Sequence, residues 1–193
     1  MRYGATTYAA AFACLGLLAL PLSSGAQNVD YAHSQISFVS VQMKVPVEAV
    51  FRKFTAQISF DPAKPEASKA QIEIDLASFD IGNDEINNDV KDKNWFDTRN
   101  FPAAKFVATG VRALGPGRYE ARGPLTIKGR TNDIIAPFTV KADGGSQIFE
   151  GGFAIRRLQY NLGEGVWKDT DTVADEVQIK FRIYVSGKPP PKK

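Results

Sequence analysis

One stretch, residues 118–141, decides the fold of this chain; it reads Arg-Tyr-Glu-Ala-Arg-Gly-Pro-Leu-Thr-Ile-Lys-Gly-Arg-Thr-Asn-Asp-Ile-Ile-Ala-Pro-Phe-Thr-Val-Lys. In its first half, small and apolar residues take alternate positions: Tyr119, Ala121, Gly123, Leu125 and Ile127. The positions between them are mostly polar: Glu120, Arg122, Thr126 and Lys128. Successive side chains of a strand point to opposite faces, so this period of two predicts a strand with one buried face.

The second half of the stretch predicts a return strand. One of its faces carries Ala136, Phe138 and Val140, and the other carries Ile135, Pro137 and Thr139. Gly129 and the pair Asn132-Asp133 lie between the two runs and favour a turn, so we expect a β-hairpin with a loop of several residues. Because proline cannot donate a ladder hydrogen bond, we expect Pro137 at a sheet edge, a bulge or a strand end.

The same period of two recurs along the chain, in residues 29–41, 54–61, 70–76, 105–111, 149–158 and 173–185. Together with the hairpin this gives about eight strands, spaced as a meander requires. Residues 83–93 are the exception, because Ile86 and Val90 are four apart and follow two acids that favour a helix start. The pattern predicts one all-β domain over 27–186, with an antiparallel sheet that is closed or two-layered and a short helix across one end.

Both ends of the chain are expected to lie outside this domain. Arg2 precedes the apolar run Ala9–Leu20, and Ser24 and Ala26 stand at the −3 and −1 positions of a small-residue cleavage site. We therefore predict a cleaved signal peptide at 1–26 and a periplasmic protein. The Pro/Lys-rich residues 187–193 predict a disordered or extended tail, for which solvation is favoured over transient contact with an anionic membrane surface.

Catalytic and metal sites find little support in the composition. The formal net charge is only +3, which argues against a nucleic-acid partner. His33 is the only histidine, and the only cysteine, Cys14, lies in the predicted signal peptide, so a zinc site of several histidines or thiolates is excluded. We interpret His33 as an ordinary strand-entry residue, and we expect no catalysis, no metal and no cofactor.

The positive signal is a large set of apolar residues at the inward positions of the predicted strands. The set comprises Phe38, Phe54, Ile58, Phe60, Ile72, Ile74, Leu76, Phe106, Tyr119, Leu125, Ile127, Phe138, Phe153, Ile179 and Phe181. An eight-stranded barrel is either filled by such side chains or just wide enough for one ligand. Periodicity is equally consistent with a solid core and with a cavity; a cavity would suit a hydrocarbon chain, whose burial yields about 0.8 kcal/mol per CH₂.

Five segments in a fixed order carry a family resemblance. They are Phe54-Thr55-Ala56-Gln57-Ile58-Ser59-Phe60-Asp61-Pro62, Ile74–Asn83, Trp95-Phe96-Asp97 with Phe101–Phe106, Gly123-Pro124-Leu125-Thr126-Ile127-Lys128-Gly129, and Ala174-Asp175-Glu176-Val177. Over about 155 residues the chain resembles the YceI family of secreted lipid-binding proteins. It departs from the family pattern at Asp89, where many members have a histidine, and at 159–161, where many have an Asp-aromatic-Gly turn.

The resemblance implies an extended eight-stranded lipocalin-like barrel with an apolar tunnel, and a polyisoprenoid chain such as a quinone tail, or another long amphiphile, as the ligand. The inward set would line the tunnel. We expect its mouth among the aromatic residues Trp95, Phe96, Tyr160 and Trp167. Lys91, Arg156 and Arg157 are candidates for an anionic head group, although solvated surface charge is favoured for each of them.

The sequence thus predicts a periplasmic carrier protein, either a monomer or a homodimer, that holds one long-chain lipid without catalysis. One alternative is a solid-cored interaction module of stress or respiratory machinery. Another is an enzyme acting on a bound lipid, which the scarcity of histidine and cysteine disfavours.

Overall fold

The computed structural model describes residues 28–186. The predicted signal peptide (1–26) and the predicted tail (187–193) lie outside the described residues. Within 28–186 the chain forms one antiparallel sheet with very little helix, which confirms the predicted fold class.

The described chain has eleven strands and one α-helix. They are β1 (Val29–Gln42), β2 (Val45–Phe51), β3 (Phe54–Ser59), β4 (Lys69–Asp75), β5 (Phe79–Asp80), α1 (Asp84–Asp89), β6 (Ala103–Val107), β7 (Gly110–Gly115), β8 (Arg118–Ile127), β9 (Arg130–Asp143), β10 (Ser146–Arg156) and β11 (Glu176–Ser186). Four short 3₁₀ turns cover Pro65–Ala67, Leu76–Ser78, Arg157–Tyr160 and Gly165–Lys168.

The strand count differs from the predicted eight for identifiable reasons. β2 was missed although Val47, Ala49 and Phe51 keep the period of two, because Pro46 near its start reads as a strand breaker. β5 has two residues and no periodicity to detect. The predicted strand over 105–111 is divided into β6, which pairs with β4 and β8, and β7, which pairs with β8.

The sheet curls around the core in the order β3-β4-β6-β8-β9-β10-β11-β1-β2-β5, with β7 beside β8. The link Arg52-Lys53 connects the edge strand β3 to β2, which lies next to the other edge strand, β5. The link is hydrogen-bonded to the end of β4 and to the 3₁₀ turn after it, since Asp75 N donates to Lys53 O at 3.0 Å and Arg52 N donates to Ser78 O at 3.0 Å. No ladder joins β1 to β3 among the described residues; Tyr31 crosses this seam, and its hydroxyl accepts a 3.2 Å hydrogen bond from Ala56 N.

The hairpin of β8 and β9 forms as predicted, but its turn is tighter. The ladder runs from Ile127↔Arg130 to Arg118↔Thr139, so only Lys128 and Gly129 turn the chain. Both have positive φ, 47° and 70°, as a two-residue hairpin turn with right-handed twist requires. Asn132 and Asp133, predicted to lie in the turn, belong to β9 instead.

Pro137 lies inside β9 and not at a strand end; it pairs with Glu120 of β8 at the point where β9 no longer pairs with β10. The β9–β10 ladder stops at Phe138↔Gly151, one residue before the proline. β10 continues to Arg156 paired with β11 alone. The two strands therefore separate toward one end of the barrel, and the 3₁₀ turn at Arg157–Tyr160 lies beside β9 there.

The inward side chains form two clusters stacked along the barrel. We call the end that holds α1, residues 90–102 and residues 157–175 the loop end, and the opposite end, with the tight connections at 116–117 and 144–145, the turn end. The cluster toward the loop end includes Ile36, Phe51, Leu76, Phe79, Phe96, Leu125 and Ile155. The cluster toward the turn end includes Ile58, Phe60, Tyr119, Phe149 and Ile183.

Candidate ligand-binding cavity

A cavity of about 350 Å³ lies inside the curled sheet and passes between the two clusters. Sixteen of the nineteen predicted site residues line it: Phe38, Ile58, Phe60, Ile72, Ile74, Leu76, Trp95, Phe96, Phe106, Leu125, Ile127, Phe138, Phe153, Trp167, Ile179 and Phe181. The interior is therefore not filled by its own side chains, which separates the two alternatives that periodicity left open. Ligand contact by these residues stays a prediction.

Phe54, Tyr119 and Tyr160 do not line the cavity. The Phe54 ring packs edge-on against Tyr31 at the β1–β3 seam, with centroids 5.4 Å apart. Tyr119 is buried behind Phe60, with ring centroids 5.0 Å apart. Tyr160 was predicted at the mouth, but only 1% of it is exposed, because the 3₁₀ turn directs it into the gap between β9 and β10.

Tyr160 and Asn132 form a buried polar pair in that gap. Neither the Tyr160 hydroxyl nor the Asn132 side-chain nitrogen has a hydrogen-bond partner among the described residues. Burial raises the pKa of Tyr160, and the nearby Asn132 side chain offsets part of this rise without completing a hydrogen bond. This pair lies outside the cavity lining and contributes to packing at the loop end.

A second group of lining residues, most of them near the loop end, was not predicted from the sequence. It includes Ile36, Phe51, Phe79, Ile81, Ile86, Val90, Ile155, Leu162 and Val177. Ile86 and Val90 were visible as the apolar face of the predicted helix, and Phe51 as an inward position of β2. Leu162 has no periodic signal, because it lies in an irregular segment.

The cavity reaches the surface at the loop end. Ile86 on α1 and Trp167 in the last 3₁₀ turn each line the cavity and are each 39% exposed. Trp167 is in ring contact with the half-buried Trp95 at 5.8 Å. Trp95 and Trp167 thus lie at the loop end beside the cavity, whereas Phe96 is buried; a role for these residues in ligand binding stays a prediction.

Arg157 binds the backbone of the irregular chain at this end. It is 2% exposed, so the predicted surface position is wrong. Its guanidinium donates hydrogen bonds of 2.6–3.3 Å to five backbone carbonyl oxygens, those of Ala174, Leu162, Gly163, Trp167 and Val173. These bonds use all five N–H donors of an arginine side chain.

The environment of Arg157 is neutral apart from Asp175. Burial lowers the pKa of Arg157, and the charge of Asp175 acts in the opposite direction. Gly163 has a φ of +81° and passes so close to the guanidinium that a Cβ there would collide with it. Residues 161–175 are thus folded around one buried cation. We call them the strap.

Lys128, at the tip of the β8–β9 hairpin, is a second buried cation at the loop end. Its ammonium group donates to Lys93 O at 2.6 Å, to Asn161 O at 2.8 Å and to the Glu164 carboxylate at 2.9 Å. The hydrogen bond that Lys128 donates to the Glu164 carboxylate is the main cause that lowers the pKa of Glu164. The hairpin tip thereby holds the strap and residues 90–102 against each other.

The other predicted polar residues lie at the surface. Arg156 is exposed, and the Lys91 ammonium donates to Asn88 Oδ1 at 3.2 Å. His33 is paired with Asp30 through a 2.7 Å contact and does not line the cavity. In residues 28–186, no three His, Cys, Asp or Glu side chains are grouped as a metal site would need.

Asp80 connects α1 to the sheet. Its carboxylate accepts hydrogen bonds from Gly82 N at 2.8 Å, from Arg52 Nε at 2.8 Å and from Asn87 Nδ2 at 3.2 Å. These bonds lower the pKa of Asp80 to about 2, and the bond from the Gly82 amide has the largest effect.

None of the helices within the described residues is long and apolar enough to cross a membrane.

Comparison with known proteins identifies a family with this architecture. A sequence model described as the YceI-like domain matches residues 27–185. A UPF0312 protein of Azotobacter vinelandii is 28% identical over 139 residues, which cover 69% of this chain and 70% of that protein. A UPF0312 protein of Pseudomonas savastanoi pv. phaseolicola is 34% identical over 98 residues, so the chain spans about half the length of that relative, 51%.

Two solved structures show how widely the fold is shared. The crystal structure of Burkholderia cenocepacia BcnA is 47% identical with a TM-score of 0.80, and the match covers 81% of this chain and 99% of BcnA. A polyisoprenoid binding domain from Saccharophagus degradans, implicated in plant cell wall breakdown, is 17% identical with a TM-score of 0.66, covering 84% of this chain and 99% of that domain. At 17% identity, the match to the Saccharophagus degradans domain is evidence for a shared fold only.

Proposed function

Because this chain belongs to the YceI-like family, we propose that it is a non-catalytic periplasmic carrier that holds the hydrocarbon chain of a polyisoprenoid, such as a quinone tail, or of a related lipid. The observation that carries the proposal is the apolar cavity of about 350 Å³ within the sheet. It lies in the size range of small-molecule sites, about 300–1,000 Å³. The polyisoprenoid-binding neighbour of the same fold supports the ligand class.

The binding mechanism in this proposal is hydrocarbon burial. Each CH₂ moved from water into the cavity contributes about 0.8 kcal/mol, so ten of them contribute about 8 kcal/mol before the entropy of binding is subtracted. Such a site selects for chain length and apolarity, and it needs no reaction. Incubating lipid-loaded protein should therefore return the lipid chemically unchanged; an altered lipid would favour an enzyme.

Exchange of the lipid would take place at the loop end. Exposed apolar side chains there include Met43, Val166 and Trp167, with Lys44 and Lys168 beside them in the chain. Apolar groups next to basic ones suit brief contact with an anionic membrane surface.

The periplasmic location rests on the predicted signal peptide, and cell fractionation checks it. Whether the carrier is a monomer or a homodimer stays a prediction that light scattering checks.

Native mass spectrometry of protein purified from the periplasm tests the carrier directly. We expect an additional mass that dissociates as a lipid of long apolar chain. An empty protein from several hosts would instead favour the alternative of an interaction module of stress or respiratory machinery, which was predicted with a solid core.

Two substitutions test the position of the cavity. Ile74→Trp and Ile179→Trp fill it from opposite walls, so both variants should fold and both should lose lipid uptake. Ile135→Trp is the matched control, because Ile135 points outward and is 50% exposed. If both tunnel variants load lipid as the control does, the proposed site is wrong.

A further inference from the structure

The axis of the barrel is closed at the turn end by packed side chains. The Phe60 ring lies 5.0 Å from Tyr119 and 5.3 Å from Phe149, in edge-to-face pairs. Phe60 and Phe149 line the cavity, whereas Tyr119 and the fully buried Val185 of the same cluster do not. A hydrocarbon chain that enters at the loop end therefore meets these rings, and it must either stop there or leave through the side of the barrel.

The barrel wall has a split beside these rings, between β7 and the chain that precedes β4. Just past the end of the β4–β6 ladder, Ala108 N donates a 2.8 Å hydrogen bond to Ala70 O. Beyond this bond, residues 60–68 and β7 form no ladder with each other within the described chain. The 3₁₀ turn Pro65–Ala67 lies against β7 there instead. The two sides of the split are thus joined by a short turn and not by paired strands.

The cavity reaches this split and meets a second pocket there. Ser68 before β4 and Val111 on β7 both line the cavity. The second pocket, of about 470 Å³, is lined by parts of β3 and β4, by the 3₁₀ turn and by residues 107–109. Four residues line both spaces: Ile58, Ser68, Lys69 and Ala70. The cavity and the second pocket therefore share one wall, in which two of the four side chains, those of Ser68 and Ala70, are small.

The lining of the second pocket suits the end of a hydrocarbon chain that carries no head group. Ile58 is buried, and Ala70 and Ala108 pack against the same cluster of buried side chains. The charged lining residues are Glu66 and Lys69, both exposed, so their formal charges cancel. One acid and one base give the pocket no preference for anions or cations, whereas the apolar residues can remove part of a chain from water.

We infer that the cavity continues through the split into the second pocket, and that this pocket takes the far end of a polyisoprenoid tail that is too long for the cavity. This inference rests on the proposed function, since a tail can reach the second pocket only if it occupies the cavity. It makes the site a tunnel with two openings, and it gives the carrier a preference for long polyisoprenoids over short ones.

Competition between two isoprenoid alcohols tests the tunnel: farnesol, with three isoprene units, and solanesol, with nine. Both are offered to lipid-free protein from the same detergent micelles, and native mass spectrometry measures the ratio of bound solanesol to bound farnesol. Ala70→Leu thickens the shared wall, so it should lower this ratio at least about fivefold relative to the wild type. Ala113→Leu is the matched control, because Ala113 is an exposed residue of β7 that lines neither space, and it should leave the ratio unchanged.

Thiol labelling locates the end of the tail directly. Cys14 is the only cysteine of the chain and lies in the predicted signal peptide, so Ala67→Cys gives the processed protein a single thiol beside the second pocket. Bound solanesol should slow the reaction of this thiol with a maleimide at least about fivefold, and bound farnesol should not slow it. Ala63→Cys is the control: Ala63 is exposed, lies in the same loop and lines neither space, so both alcohols should leave its labelling unchanged.

The outcomes separate this inference from the carrier proposal. If farnesol binds and solanesol does not, or if solanesol binds without protecting the Ala67→Cys thiol, the tail does not enter the second pocket; the inference is then wrong and the carrier stands. If neither alcohol binds, the carrier proposal fails and the inference fails with it. Should Ala70→Leu not fold, the labelling experiment decides alone, because it leaves the shared wall intact.

Discussion

The two ends of this barrel are stabilised by different interactions. At the turn end, aromatic rings pack directly: Phe60 lies 5.0 Å from Tyr119 and 5.3 Å from Phe149, in edge-to-face pairs. At the loop end, the irregular chain of 157–175 is organised around the buried cations of Arg157 and Lys128, which donate to backbone carbonyls. Regular strands satisfy their own carbonyls in ladders, and the loop end has to satisfy them with side chains.

The difference explains where the cavity opens. Packed rings exclude a ligand unless they move together, whereas a strap fixed by hydrogen bonds can leave space beside it. The opening at Ile86 and Trp167 lies where carbonyl-to-cation bonds replace packing. The following substitutions each act on one end and measure this contrast.

Arg157→Met should have the largest effect. It leaves five backbone carbonyls without their donor, and at about 1 kcal/mol each the free energy of unfolding should fall by about 5 kcal/mol. Urea unfolding measures this, and lipid uptake should fall with it, because the strap forms part of the cavity wall. The neighbouring exposed Arg156→Met is the control and should change stability by less than about 0.5 kcal/mol. A loss below about 1 kcal/mol in Arg157→Met would show that the strap does not depend on the guanidinium.

Phe60→Ala tests the turn end. Truncating a buried phenylalanine costs about 3–5 kcal/mol in a tight core, and we expect about 3 kcal/mol, because Phe60 already borders the cavity. Unlike Arg157→Met, this variant should still take up lipid, since it enlarges the cavity and leaves the opening intact. Leu114→Ala, at an exposed leucine of β7, is the control for loss of apolar surface. Loss of lipid uptake in a folded Phe60→Ala would contradict the division between the ends.

A matched pair of hairpin lysines isolates the buried ammonium at the loop end. Lys44 and Lys128 both have positive φ in two-residue turns, and asparagine tolerates that conformation. Lys128→Asn should lower the free energy of unfolding by about 2 kcal/mol, since two carbonyls and Glu164 lose their donor. Lys44→Asn, at the exposed tip of β1–β2, should change it by less than about 0.5 kcal/mol. Equal effects in the two variants would mean that the turn conformation matters and the ammonium does not.

The smallest expected effect is a pH dependence at Asp80. Its pKa in the folded protein is about 2, below its ordinary value, so its contribution to stability is complete above about pH 4 and is lost as the pH falls toward 2. Asp80→Asn should lack this component while keeping the same stability trend above pH 4. Urea unfolding of both proteins across this range measures the difference. Parallel curves for wild type and variant would show that Asp80 does not anchor α1 through its charge.

The sequence predicted the structure best in strands where the period of two is regular. The alternation in β8 and β11 correctly identified Tyr119, Leu125, Ile179 and Phe181 as inward-facing, because a strand with one wet face must alternate. It failed at Asn132-Asp133, whose turn preference lost to continued pairing with β8. It also failed at Arg157, since charge predicts exposure and nothing local shows that five carbonyls will converge on one side chain.

By itself, the sequence determined that this chain forms antiparallel strands around a large apolar interior, because the period of two and the inward residue types depend only on neighbours along the chain. Only the tertiary structure decided that the interior holds an open cavity and that the strap closes around Arg157. Cavities and convergent polar groups are set by distances between segments far apart in sequence, and no local pattern carries those distances.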